Sequence, residues 1–340
     1  MPESGSVGVE GFRDGPVGRI VLDRPRSLNA IGLSMIHRIL ELLEDWKAEP
    51  LRAITVESST DGVFCAGGDI RQIRQNTLDR NPAASDEFFA TEYMVNELLA
   101  TYPTPVVALI DGVCMGGGLG LSVHGAFRVV TERAVLAMPE TAIGFFPDVG
   151  ASHFLSRLPG GVGTYLGLTG ARLNSTESIR FGLATHHISS DVLRSVVERL
   201  ADDPRPIDSV LRDLSTPPAF ESGMTMERSL IDSVFTASTI DEILRRLGEN
   251  SSEGAVETLG VLELMSRQSL ELTLDLLLWG KQRTLRECLE AEREAARLVV
   301  ASTDFIEGVR AALVDKDRQP IWAASRYGGM TERGEIRWNS

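Results

Sequence analysis

The chain has 340 residues, with 34 Lys and Arg against 48 Asp and Glu, a formal net charge of −14. That balance argues against a nucleic-acid surface, which needs a basic stripe to meet phosphates, but leaves room for an anionic small ligand held by a few local cations. Ordinary apolar (43%) and charged (24%) fractions exclude global disorder. The length suggests about two domains and a core large enough to need neither disulfides nor structural metal. The N-terminal MPESGSVGVEGFRDG carries acids and glycines and no apolar run, so no signal peptide is expected.

Residues 18–23 (GRIVLD) read as a strand, DRPRSLNA as a turn, and 31–47 as a helix with Ile31, Met35, Ile36, Ile39, Leu40, Leu43 and Trp46 on one face. RAITVE at 52–57 is a second strand, and FCAGGDI after it a glycine-bearing turn. A polar loop is expected over about 72–85 and a helix over about 86–101. VVALI at 106–110 is a buried strand, with a helix starting at Gly116-Gly117-Gly118. Short strands follow at 127–130 and 134–138. Pro105–Val123 is the most apolar stretch, but Asp111 and five glycines interrupt it, so it does not read as a membrane span.

Alternating strands and helices up to about 190 predict an α/β core, and almost no strand signal remains from about 190 to 313. STPPAF at 215–220 breaks the helical pattern. Thr239-x-x-Glu242 and Thr284-x-x-Glu287 read as capping boxes, and Leu285–Val300 as a helix. Two parts are expected: an α/β core over 1–215 and a helical region over 216–340. Cys65, Cys114 and Cys288 are few, odd in number and form no CxxC pair, which predicts a reduced, cytoplasmic protein.

Two glycine turns, AGGD at 66–69 and GGG at 116–118, each follow a buried strand. Glycine lets backbone N–H groups approach a ligand oxygen, so the pair reads either as an oxyanion site or as two tight turns in a crowded core. Glu140 and Asp148, in MPETAIGFFPDVG, sit among Pro, Gly and apolar residues that would desolvate them and raise their pKa values, as acid–base or nucleophilic work requires. A cap or turn role is the alternative for each. Ser122 and His124 form no GxSxG elbow, His186-His187 has no accompanying metal-ligand spacing, and no phosphate-loop motif is present. No metal site is expected.

Taken together, FCAGGDI after a strand, PVVALIDGVCMGGGLGLS and MPETAIGFFPDVG resemble the crotonase (enoyl-CoA hydratase/isomerase) superfamily. GLSVHG and the C-terminal DFIEGVRAALVDKDRQPIW (304–322) are closest to its 3-hydroxyisobutyryl-CoA hydrolase branch. The motifs run from about 18 to 322. The resemblance implies a spiral of ββα units followed by C-terminal helices over the acyl site, and an acyl-CoA thioester ligand. It implies oxyanion-hole amides at Gly68 and Gly117, a pantetheine path along Gly68, Asp69, Ile70 and Arg71, a substrate-contacting Glu92, and active-site carboxylates Glu140 and Asp148. Hydratases of the superfamily carry a first glutamate two residues after the triple glycine; here that position is Gly120. The hydrolase branch often has Ser-Pro where this chain has Ser266-Arg267.

The expected reaction is therefore hydrolysis of a small β-hydroxyacyl-CoA, 3-hydroxyisobutyryl-CoA first among them, with Glu140 acting either as general base or as nucleophile, Asp148 either holding the substrate hydroxyl and water or helping to cleave the intermediate, and Glu92 either bonding the same hydroxyl or orienting a partner. Arg24, Arg26 and Arg71, and less directly Lys316, are candidate partners for the CoA phosphates, each of which could equally be a solvated surface charge. No cofactor is expected beyond the CoA of the substrate. Neither nucleic acid nor membrane is an expected partner, and the resemblance admits a homo-oligomer, trimer or hexamer, without fixing it. Enoyl-CoA hydration or isomerisation, and acyl-CoA binding without turnover, are the alternatives.

Overall fold

The structure is a computed structural model. It describes residues 7–218 and 227–338. β1 (Val9–Asp14) and β2 (Val17–Leu22) form an antiparallel hairpin. The sequence predicts only the second strand. β1 is an edge strand that fully buries only Val9, so it carries no clean alternation. The following turn contains a short 3-10 stretch, Pro25–Ser27, and is pinned by the fully buried Asn29. Its side chain accepts from the Arg24 amide (2.8 Å) and donates to Ser58 Oγ (2.7 Å) and to the Phe64 carbonyl (3.0 Å). α1 (Leu33–Trp46) buries Met35, Ile36, Ile39, Leu42, Leu43 and Trp46, close to the predicted stripe.

Three pairs of strands then follow one pattern. β3 (Ala53–Ser58) and β4 (Val63–Cys65) lead into α2 (Ile70–Leu78) and α3 (Pro82–Thr101). β5 (Val106–Ile110) and β6 (Val113–Met115) lead into α4 (Gly117–Gly120). β7 (Phe127–Val130) and β8 (Val135–Ala137) lead into a 3-10 turn, Glu140–Ile143. The first member of each pair joins a six-stranded sheet, and the second joins a three-stranded one ordered β4-β6-β8.

The predicted loop over 72–85 is corrected: α2 fills 70–78 and α3 starts at Pro82. α2 is mostly polar and buries only Ile73 and Asn76, so no apolar stripe announces it; the Asp69 side chain caps it by accepting from the Gln72 amide. Pro82 sits at a helix start, where a missing N–H costs nothing, rather than breaking a helix.

Beyond the third pair lie α5 (Ala151–Phe154), α6 (Val162–Thr169), α7 (Ser175–Phe181), β9 (His186–His187), α8 (Ser190–Leu193), α9 (Ser195–Asp202) and α10 (Ile207–Leu214). Residues 215–218 of STPPAF lie outside any helix, and 219–220 lie outside the described residues. Then come α11 (Arg228–Val234), α12 (Ile240–Gly248), α13 (Glu253–Glu263), α14 (Arg267–Gly280), α15 (Leu285–Val299) and α16 (Thr303–Val309), followed by a hairpin of β10 (Tyr327–Met330) and β11 (Ile336–Trp338). The hairpin went unpredicted because YGGM has two glycines and no alternation. Thr284 and Glu287 form the predicted capping box on α15. On α12 only Thr239 caps; Glu242 turns instead to Arg245 and Arg246. Ser266 caps α14 with Arg267 in the place of a proline, and Arg267 pairs with Glu271 and Asp241. No helix among the described residues is long and apolar enough to cross a membrane.

The described residues fall into two compact units. The first takes in 7–68, 94–136 and 173–218. Its sheet runs β1-β2-β3-β5-β7-β9, parallel from β2 onward. Val17, Ala53, Val107, Leu109 and Val129 on one face share a core with Val196, Leu200, Val210 and Leu211 of α9 and α10. The second unit takes in 69–93, 137–172 and 227–338. It is built around α14, which buries Leu270, Leu272, Leu274, Leu276 and Leu277 and packs on α5, α6 and α15.

Candidate active site

In the second unit, residues far apart in sequence bury their carboxylates close enough to act on one another. Glu140 opens the 3-10 turn after β8, Asp148 precedes α5, and Glu92 lies on α3. They are 9%, 6% and 4% exposed. Phe89 and Phe145 stack at 5.7 Å between centroids and Phe145 and Phe146 at 4.4 Å, which adds aromatic surface to the segment that carries Glu140 and Asp148.

Asp148 Oδ2 accepts from the Tyr93 hydroxyl at 2.8 Å. Glu92 Oε1 and Glu140 Oε2 are buried and have no hydrogen-bond partner among the described residues. A buried acceptor without a donor is costly, which makes these atoms ready partners for a ligand's donors.

The electrostatics follow from burial, with no cation among the described residues acting on these carboxyls. Desolvation holds the Glu140 carboxyl well above its ordinary range, and the Asp148 charge pushes the same way. Burial raises Glu92 well above its usual value, with further push from Asp148 and Glu140. Asp148 is pushed up to about 7 by burial, against the Tyr93 hydroxyl, which favours its ionised form. Burial therefore favours the neutral form of each carboxyl, and the Tyr93 hydroxyl favours the ionised form at Asp148 alone. Such a set can accept a proton, donate one, attack an electrophile, and hold a substrate hydroxyl.

Two residues of this region were not predicted. Tyr93 follows Glu92 directly, but a tyrosine at a buried helical position reads as core. Glu292 sits in EAEREAAR, which reads as a solvated charged helix. The available signal was its place on the stripe Cys288, Glu292, Ala295, Ala296 and Val299, all buried. Burial pushes Glu292 up to about 8, against donors from Ser152 and Gly150 that hold it down.

In the first unit the two glycine turns lie against each other at the ends of the neighbouring parallel strands β4 and β6. A Cβ on Gly118 would sit 2.8 Å from the Cys65 carbonyl oxygen, so only glycine permits that approach. Gly67, at φ +107, brings its Cβ direction to 3.4 Å from the Met115 carbonyl and 3.8 Å from the Gly117 nitrogen. The amides of Ala66 and Ile31 are used locally, bonding to the Leu28 and Gly67 carbonyls. Those of Gly68 and Gly117 donate to no group among the described residues. Position 120, in α4, presents no carboxylate.

The predicted cations differ in how they are occupied. Arg24 donates to the Ala30 carbonyl (2.8 Å) and so helps hold its own turn. Arg26 is exposed within Pro25–Ser27. Arg71, in the first turn of α2 after Asp69 and Ile70, reaches the Leu313 carbonyl. Lys316 is exposed at φ +59. His186 lies 3.4 Å from Asp208, and His187 Nδ1 lies 2.9 Å from the Thr216 carbonyl. Among the described residues no group of three or more His, Cys, Asp or Glu could hold a metal ion.

A model of the family described as "Enoyl-CoA hydratase/isomerase" matches residues 17–334. The chain is 41% identical over 333 residues to the mitochondrial 3-hydroxyisobutyryl-CoA hydrolase of Homo sapiens, covering 94% of this chain and 85% of that protein. It is 38% identical over 325 residues to 3-hydroxyisobutyryl-CoA hydrolase 1 of Arabidopsis thaliana, covering 92% and 86%. Among solved structures, a carnitinyl-CoA dehydratase from Mycobacterium thermoresistibile matches with a TM-score of 0.86 at 32% identity, covering 93% of this chain and 91% of that one.

Proposed function

The chain belongs to the enoyl-CoA hydratase/isomerase family, and from that membership we propose that it hydrolyses 3-hydroxyisobutyryl-CoA to 3-hydroxyisobutyrate and CoA. The observation that carries the choice of reaction is the carboxylate set. Glu92, Glu140 and Asp148 are buried and no cation among the described residues acts on them, whereas the position from which a hydratase would supply its first glutamate is Gly120. Water addition across a C=C bond would lose one of its two acid–base groups, each worth roughly 10²–10⁴-fold. Thioester cleavage needs one attacking group and a means of holding charge on the carbonyl oxygen.

In this reading the amides of Gly68 and Gly117 hold the thioester oxygen as it becomes negative; one such donor is typically worth about 10²–10³ in kcat. Glu140 performs the attack by one of two routes. As a base it takes a proton from water, whose oxygen bonds to the carbonyl carbon. As a nucleophile its own oxygen forms that bond, and water then opens the mixed anhydride. On either route the C–S bond breaks and the CoA sulfur leaves with the electron pair, taking up on the base route the proton that Glu140 removed from water and on the anhydride route a proton from solvent. Both routes need Glu140 ionised, which its burial opposes, so its proton must pass to Asp148 or to solvent.

Asp148 and Glu92 bind the substrate hydroxyl. A saturated acyl chain would leave these buried oxygens unpaired, which is the basis for specificity. Asp69, Ile70 and Arg71 line the pantetheine, and Arg24, Arg26 and Arg71 meet the phosphates. No cofactor takes part beyond the CoA of the substrate. The helical region 216–340 covers the acyl site, in keeping with α15 and α16 packing on the segments that carry Asp148 and Glu140. We place the reaction in valine breakdown and the working form as a homo-oligomer, trimer or hexamer. Three buried, reduced cysteines fit a reducing compartment such as the cytoplasm, although the human relative is named mitochondrial.

The carnitinyl-CoA dehydratase among the solved relatives keeps water addition and removal as the second reading. CoA release from 3-hydroxyisobutyryl-CoA, run beside hydration of crotonyl-CoA, separates the two. Turnover of the first with at most a trace of the second is expected. Hydration with no CoA release would reverse the assignment.

A further inference from the structure

We propose that Glu292 is a positioning residue for thioester cleavage: its buried carboxylate holds the left-handed turn at Val149–Gly150 and thereby fixes where Asp148 points. The proposal rests on the catalytic reading of Asp148 given above.

The turn is unusual for its sequence. The Asp148 carbonyl accepts from the Ala151 amide at 2.9 Å, and the two residues between have φ of +53 and +85. Positive φ at both central positions defines a type I′ turn, which glycine and asparagine favour. Gly150 meets that requirement. Val149, β-branched and 1% exposed, does not, and a β-branched residue at positive φ persists only where its surroundings impose it.

Glu292 supplies the constraint. One carboxylate oxygen accepts from the Gly150 amide at 2.6 Å, and the other from the Ser152 amide at 2.9 Å and the Ser152 hydroxyl at 2.6 Å. These three bonds bracket the strained residue from its C-terminal side, and Asp148 is the first residue of the turn they hold. The Tyr93 hydroxyl fixes the Asp148 side chain from the other side. Glu292 is itself held in place. The residue after it, Arg293, and Arg297 one turn on both reach Asp86 of α3, at 2.9 and 2.6 Å.

A wholly buried carboxylate with no ion pair among the described residues is a poor means of stabilising a fold, because desolvation opposes it and an apolar side chain of like volume would pack as well. Its fit to two backbone amides next to an acid of the site explains its presence better than stability does.

The test is a double-mutant cycle on the full chain with 3-hydroxyisobutyryl-CoA, measuring kcat and KM for wild type, Glu292→Gln, Asp148→Asn and the pair. Glutamine keeps the volume but turns an amide N–H₂ toward a backbone N–H. Glu292→Gln is expected to lower kcat about 10²-fold, the scale of an ångström-sized misplacement, with KM changed less than threefold. If Glu292 acts through Asp148, it lowers the Asp148→Asn rate no further than threefold; a merely structural role would multiply the two losses. Wild-type kcat in Glu292→Gln, or full multiplication in the pair, overturns the proposal alone. Wild-type kcat in Asp148→Asn overturns the role of Asp148 and the proposal with it. Should Glu292→Gln fail to fold, Ser152→Ala removes one of the three donors. It is expected to lower kcat about fivefold through the same cycle, and an unchanged kcat would count against the proposal.

Discussion

Asp148 shows at the scale of one residue how the site opposes the fold. Burial raises its carboxyl from 3.8 to about 7, and no cation among the described residues offsets the cost. Below pH 3.8 the folded and unfolded chains both hold this proton. Between that value and about 7 the unfolded chain releases it and the folded chain keeps it, so rising pH favours unfolding. Asp148→Asn removes the titration while leaving an acceptor for Tyr93. Its melting temperature should match the wild type near pH 4 and exceed it by several degrees at pH 8, a gain capped at roughly 4 kcal/mol for about three pKa units. A gain equal at both pH values would show that desolvation of the charge is not the cause. The chain announced Asp148 and Glu140 through the Pro, Gly and aromatic residues around them. Glu92 emerged only from a family resemblance, and Glu292 not at all, because the charges beside it in α15 face outward while it alone turns in.

Elements explain why a chain without an obvious repeat builds its candidate residues in a series. Gly68, Gly117 and Glu140 each follow a three-residue strand of the small sheet by two or three positions: β4 ends at Cys65, β6 at Met115 and β8 at Ala137. The units start at 53, 106 and 127, so the helices between them differ too much in length for a fixed period to appear. β4 and β6 run straight into glycine turns and were read as part of them, whereas the equally short β8, the strand β5 and the stripe of α1 were plain in the sequence. Capping chemistry was equally plain at Thr284, where both halves of the box form. That cap starts the helix that carries Glu292. Thr284→Ala should cost about 1 kcal/mol, a fall of a few degrees in melting temperature. Thr239→Ala, at a helix where only half the box forms, should cost less. The reverse order in thermal melts would contradict this reading of the caps.

For the whole molecule the governing quantity is a charge of −14 facing a polyanionic substrate. Long-range repulsion has to be overcome by local cations, and the arginines near the first turns differ in their freedom to supply them. Arg24 and Arg71 already donate to backbone carbonyls, while Arg26 is exposed. Arg26→Ala should therefore raise KM for the CoA ester by about two- to fivefold at low ionic strength and less at high salt, with kcat unchanged. An unchanged KM at low salt would remove Arg26 from the phosphate site. Family membership covers residues 17–334, nearly the whole chain.

Catalysis by Glu140 is what the rest depends on, and one variant addresses it directly. Turnover of 3-hydroxyisobutyryl-CoA by Glu140→Gln, measured as CoA release with substrate affinity determined in parallel, should fall by at least about 10³-fold while affinity stays within threefold. CoA release at close to the wild-type rate would mean that another group breaks the thioester.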